Sequence, residues 1–298
     1  WGAVTIASDA LSRRGRVPDC CDIGMFMTNY EPATVIGADR GGDWIILCDH
    51  ASNHVPPFVA DGDLGLPAED MARHIAWDPG ALGVALALAE ALDSPAIYSN
   101  FSRLVIDPTR GAAAPTLVRK IYDGSIIPVN RNADEAEDKR REHYARLDPK
   151  TINAEDLKAR TGGRLLAQEL KRQQNLEHIV HDAVEANIEG DARDIEDDWI
   201  DRLSDRRQGT APRLSSIHSF TPQLVGEPMR PWELGLLWDR DDRIFAPLFK
   251  RLAAEPLTVG DNEPYSGKLS GDCMWMHGTS RGLPHLLIEV RNDLIATA

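Results

Sequence analysis

The chain has 298 residues, 42% of them hydrophobic and 27% charged, with a formal net charge of −14 and a pI near 5.1. That length and composition describe a globular protein able to bury a large core as one big domain or two small ones. The acidity excludes a general nucleic-acid binder, which needs a basic face, and no apolar stretch of 18 residues or more is present to cross a membrane. The start lacks the order of a secretory signal, and residues 1–26, broken by Gly15 and Pro18, read as an extension or poorly structured segment. The four cysteines, Cys20, Cys21, Cys48 and Cys273, have neither zinc-ribbon nor redox spacing, and are read as reduced thiols in a cytoplasmic protein.

Four short apolar runs follow, each leading into residues that can do chemistry. Trp44–Cys48 runs into Asp49-His50-Ala51-Ser52-Asn53, and Leu104-Val105-Ile106 into Asp107-Pro108-Thr109-Arg110. Leu214–Ile217 runs into His218-Ser219-Phe220, and Leu286–Ile288 into Glu289-Val290-Arg291-Asn292-Asp293. Such runs predict buried parallel strands, and ligands bind beyond the carboxyl ends of those strands. Between the first two runs, Asp78-Pro79-Gly80 predicts a helix start, with Asp78 as N-cap and Pro79 in the first turn. The Ala- and Leu-rich Ala81–Leu92 is the helix, suited to packing on a sheet. Residues 96–98 and 103–106 predict strands, and 126–132 a loop around Pro128. Residues 133–208 are dense in charge with apolar residues at helical spacing, which predicts a helical insertion into one α/β domain spanning 27–298. His178 and His181, within it, read as a surface pair. Gly260–Gly267 is turn-rich, either a surface loop or a loop covering a ligand.

His50 and His218 at strand ends are candidate zinc ligands, since imidazole is the commonest ligand of that ion. Glu289 within an apolar run is costly to bury ionised and alone. It is either paired with a neighbour such as Arg291 or a general base beside a metal. Arg103, Arg110 and Arg291 flank strand ends with forks that match carboxylates, and Asp107 is placed to orient one of them. His74 lies four residues before Asp78, near the same elements. No GxGxxG follows a strand, and neither a P-loop nor a GxSxG elbow is present.

The segments 48–53, 74–81, 102–110, 216–222, 260–267 and 287–293, in this order, resemble the N-formylglutamate amidohydrolase family over roughly 33–135 and 210–296. The resemblance implies a three-layer α/β/α fold with a central mixed, largely parallel sheet, as in zinc carboxypeptidases and aspartoacylase. It implies one zinc ion held by His50 and His218, Glu289 as base and Arg103 as oxyanion stabiliser. Arg110 with Thr109 and Asp107 would hold the substrate carboxylate, with Arg291, Asn262, Tyr265 and His74 as further contacts. Asn53 stands where the carboxypeptidases have their glutamate ligand, so the third ligand is Asn53, Asp49 or Asp78. The expected reaction, part of histidine catabolism, is release of an N-formyl or other small N-acyl group from an acidic amino acid, N-formyl-L-glutamate foremost. The alternatives are a carboxypeptidase-like or cell-wall amide hydrolase, and a non-catalytic interaction module. The expected partner is the small-molecule substrate, with neither nucleic acid nor membrane.

Overall fold

The computed structural model describes residues 31–57, 59–111, 114–131, 200, 201 and 211–296. The expectations for residues 1–26, His178, His181 and nearly all of 133–208 lie outside the described residues. Among the described residues no helix is long and apolar enough to cross a membrane.

Seven strands form one sheet: β1 (Ala33–Ile36), β2 (Trp44–Cys48), β3 (Ala96–Ser99), β6 (Arg213–Phe220), β7 (Leu234–Leu237), β8 (Val259–Asp261) and β9 (His285–Arg291). Their order across the sheet is β1-β3-β2-β6-β9-β7-β8. The four central strands, β3, β2, β6 and β9, run parallel to one another. β1 is antiparallel to β3 at one edge. At the other, β7 and β8 run parallel to each other and antiparallel to β9. The fold is therefore α/β with a mixed, largely parallel sheet.

Two-sided burial explains why the central strands read as unbroken apolar runs rather than alternating ones. In β2, Ile46 and Cys48 pack with Ala81, Ala85 and Ala89 of the helix Ala81–Ala91, whose small residues recur every four positions and admit the helix close to the sheet. Ile45 and Leu47 join Ile97, Ile200, Leu214, Cys273 and Met274 in a second cluster. A further helix, Phe245–Leu252, packs Phe245 onto Leu236 and Leu286.

Three local expectations are corrected. Leu104-Val105-Ile106 is wholly buried, yet it forms turns rather than a strand. Burying irregular backbone requires partners for its carbonyls, and the buried side chain of Asn130 supplies one, donating to Leu104 O at 2.8 Å and to Arg119 O at 2.8 Å. Asp78 does not cap its helix. Gly80, at φ +81°, precedes the first turn, and the Asp78 carboxylate turns inward instead. The segment 126–132 is not only loop, because Pro128–Arg131 makes one helical turn, with proline at a first-turn position where its missing N–H costs nothing. Of Gly260–Gly267, the first two residues complete β8 and the remainder is loop.

Candidate active site

The sheet order brings the chemistry together. β2, β6 and β9 are neighbours, so their carboxyl ends lie side by side. His50 follows β2 by two residues, and His218 of β6 stands in register with Glu289 of β9. Two buried connections deliver the remaining groups. The N–H of Asp78 donates to His50 O at 2.9 Å, and Asp107 N donates to Leu117 O at 2.9 Å, which fixes both aspartates under the sheet ends.

The two imidazoles meet edge to face with ring centroids 4.8 Å apart. Both turn Nδ1 toward one oxygen, Asp78 Oδ2, at 3.3 Å for His50 and 2.8 Å for His218. Each turns Nε2 to a different carboxylate: His50 to Asp107 Oδ1 at 2.8 Å, and His218 to Asp49 Oδ2 at 3.1 Å. A carboxylate only accepts hydrogen bonds, and a neutral imidazole carries a single N–H. Neutral rings that donate through Nε2 to the outer carboxylates leave both Nδ1 lone pairs turned toward Asp78 Oδ2, a corner that a cation would satisfy. Outer carboxylates on Nε2 are the usual means of fixing a ligand tautomer, leaving Nδ1 as the donor. His50, Asp78 and His218 are all buried, and their donor atoms lie within 4.8 Å of one another.

The electrostatics agree with that arrangement. Burial disfavours a charged His218, but hydrogen bonds to Asp49 and Asp78 outweigh it and hold the imidazole well above its usual pKa. Burial likewise opposes ionisation of Asp78 and Asp49, yet the two histidines overcome it, keeping Asp78 far below the carboxylate range and Asp49 at about 2. Glu289 behaves differently: burial, only partly offset by His218, pushes it up to about 7. Its Oε2 is buried without a hydrogen-bond partner among the described residues. Four buried acids thus surround two rings, and an orphaned carboxylate oxygen faces the same space. Two imidazoles and a carboxylate are also the donor set of known catalytic zinc sites. The residues fit a divalent cation.

Asn53 takes no place in this cluster. It is exposed and donates to Met71 O at 2.9 Å. Of the named alternatives, Asp78 shares the inner corner, while Asp49 lies behind His218 and also accepts from Ser216 Oγ at 2.7 Å.

The cluster opens into a cavity of about 270 Å³, whose second wall is cationic and includes Arg103, Arg110, Arg119 and Tyr122. Arg103 spans two aspartates, from Asp78 Oδ1 at 3.3 Å to Asp107 Oδ2 at 3.1 Å, and its Nε has no hydrogen-bond partner among the described residues. Thr109 donates its hydroxyl to Asp107 Oδ1 at 2.6 Å, so it braces Asp107 from within the cavity lining. His74 and Tyr265 also line the space. His74 stacks edge-on against Tyr122 at 5.8 Å, and burial lowers its pKa. Tyr265 accepts from Arg230 at 3.1 Å, and burial raises its hydroxyl to about 12, so it remains a neutral donor. Asn262 holds the loop after β8: its Oδ1 accepts from Trp238 N and Gly267 N. Arg291 turns away, donating to Asp293 Oδ1 at 2.8 Å and to the carbonyls of Arg230 and Trp232.

Arg119 and Tyr122 were not singled out from the sequence, though a signal was present. Asp123-Gly124 between Ile121-Tyr122 and Ser125-Ile126 is a strong short-range hairpin signature. Both turn residues indeed have positive φ, 42° and 83°, in a two-stranded hairpin, β4 (Ile121–Tyr122) and β5 (Ser125–Ile126). Gly235 holds the other side of the site. A Cβ there would lie 2.2 Å from Glu263 O and 3.3 Å from the Glu289 Cβ. Gly235→Ala is expected to lower the thermal midpoint, costing about 1–3 kcal/mol, and to reduce turnover. An unchanged melting curve together with unchanged kcat would show that Glu289 needs no such clearance.

The N-formylglutamate amidohydrolase family model matches residues 42–160 and 196–296. Among solved structures, the gene product Atu2144 from Agrobacterium tumefaciens shares 30% identity at a TM-score of 0.66, covering 91% of this chain and 89% of that one. The N-formylglutamate amidohydrolase from Ralstonia eutropha JMP134 shares 16% identity at a TM-score of 0.41, covering 89% and 87%. No curated protein matches. The family match takes in both histidines, all four buried acids and the three arginines of the cationic wall, and on it the chain belongs to the N-formylglutamate amidohydrolase family.

Proposed function

We propose that this hydrolase removes the N-formyl group, or another small N-acyl group, from an acidic amino acid, with zinc bound by His50, Asp78 and His218. N-formyl-L-glutamate is the foremost substrate, giving formate and glutamate. A cytoplasmic setting belongs to the same proposal, in keeping with the buried thiol of Cys48. The observation that carries the reading is one cavity joining a His–Asp–His cluster, an unpartnered buried carboxylate and a cationic wall.

Zinc would supply Lewis acidity, polarising the amide carbonyl and easing ionisation of water. Glu289, poised near neutrality with a free oxygen, accepts the proton from the water that attacks the formyl carbon. It then delivers that proton to the departing amine. Arg103 is fixed by its two aspartates and lines the cavity, which suits it to stabilise the tetrahedral oxyanion. Arg110, lining the same wall, holds a substrate carboxylate. Asp107 and Asp49 keep the two histidines in the tautomer that presents Nδ1.

Formate release from N-formyl-L-glutamate, N-acetyl-L-glutamate and a short C-terminal glutamyl peptide is the direct test, with acetate and free amine measured alongside. The expected order of kcat/KM places N-formyl-L-glutamate first. Preference for the peptide would support a peptidase instead, and an absence of turnover on all three in metal-loaded protein would refute hydrolysis.

A further inference from the structure

Among the described residues, Arg119 has less carboxylate around it than the other guanidinium groups lining the cavity. Asp107 is the only carboxylate within 4 Å of Arg119 among the described ion pairs, and it is already committed. Its Oδ1 accepts from His50, from Thr109 N and from the Thr109 hydroxyl, while its Oδ2 accepts from Arg103 at 3.1 Å. Arg119 stands 3.9 Å from that same Oδ2, beyond hydrogen-bonding reach. Its side chain is only 15% exposed, and its Nε is buried without a hydrogen-bond partner among the described residues. Burial and the neighbouring Arg103 charge both lower its pKa, the mark of a cation set among other cations. The guanidinium lies over the Tyr122 ring, 4.3 Å from its centroid, and the two-residue hairpin fixes that ring. Arg119 lines the cavity, and an arginine held there against an aromatic ring is preorganised to take a planar anion.

We infer that Arg119 is a specificity-determining residue that binds the second carboxylate of a dicarboxylic substrate, while Arg110 takes the first. The inference rests on the proposed reading that the cavity receives an acidic N-acyl amino acid, and it adds which residue distinguishes acidic from neutral side chains. It uses no part of the metal cluster: the anion is matched by Arg119 and its ring support alone.

Calorimetric titration of the metal-free full chain with glutarate, glutaramate and butyrate tests this without any N-acyl group to hydrolyse. Glutarate is expected to bind the unaltered protein about 10- to 100-fold more tightly than glutaramate, the amide that replaces one carboxylate at nearly constant shape. In Arg119→Met that preference is expected to fall to within about threefold, and Arg119→Lys, which keeps charge without the fork, to fall between. Equal binding of glutarate and glutaramate by the unaltered protein would overturn the inference, with no variant needed. So would an undiminished preference in a folded Arg119→Met protein. Failure to release formate would refute the hydrolase reading yet leave these binding ratios measurable, so the two failures are distinguishable.

Discussion

Glu289→Gln is expected to lower kcat by about 10²- to 10⁴-fold while metal content stays unchanged. The amide keeps the volume and both heavy atoms of the carboxyl group but cannot accept a proton from water. Glu289 also has no ion pair among the described residues, so the change breaks no structural bridge; its Oε2 is unpartnered from the outset. A second consequence is read in the metal-free protein. The folded state keeps the Glu289 proton up to a pKa of about 7, against an ordinary value of 4.5. Between those values the folded chain binds more protons than the unfolded one, so this group's contribution to stability falls as pH rises through the window. Glutamine removes that loss. The metal-free variant should therefore melt above the metal-free parent at pH values over 7 and converge with it below 4.5, the gap being on the order of 1–3 kcal/mol. Full turnover in Glu289→Gln would remove the residue from the base role, and a pH-independent gap would contradict its buried, uncompensated state.

His218→Ala is expected to abolish both metal retention and turnover. The substitution deletes one of three converging donors and strands two buried acids, since both Asp78 and Asp49 are held in the ionised state by this ring. Because such a loss can also unfold the chain, Asp49→Asn is the partner experiment. It leaves all three inner donors in place and alters only the group behind Nε2 at 3.1 Å. Its expected cost is the roughly 10- to 100-fold in metal affinity that follows loss of an outer partner, with His218→Ala costing more. Undiminished zinc content in His218→Ala, measured by elemental analysis, would refute the ligand assignment.

The strands that carry the site were legible where burial is two-sided. Trp44–Cys48, Leu214–Ile217 and Leu286–Ile288 read as continuous apolar runs because both faces of β2, β6 and β9 are covered. The same rule misread Leu104–Ile106, which is equally apolar and equally buried, because periodicity cannot see that Asn130, far along the chain, satisfies the backbone of a turn. Asp78 was misplaced for a related reason. Its position before Pro79 and an Ala-rich run is that of a helix cap, and nothing local reveals that two histidines 28 and 140 residues away compete for its carboxylate. The convergence of the two histidines and Glu289 on one place was legible, since polar residues at the ends of buried strands have few structural reasons to be there. Arg119 was not: an arginine within Val118-Arg119-Lys120 looks like solvated charge until the hairpin folds Tyr122 beneath it.

The proposed metal site offers His50 Nδ1, Asp78 Oδ2 and His218 Nδ1 to one divalent ion. Anomalous diffraction at the zinc edge, on crystals of the metal-loaded protein, tests it most directly. A single strong peak is expected within about 2.0–2.2 Å of all three atoms, with the Glu289 carboxylate beside it. A peak bound by Asn53, or one bonded to the Nε2 atoms with Asp78 uninvolved, would rule out this ligand set.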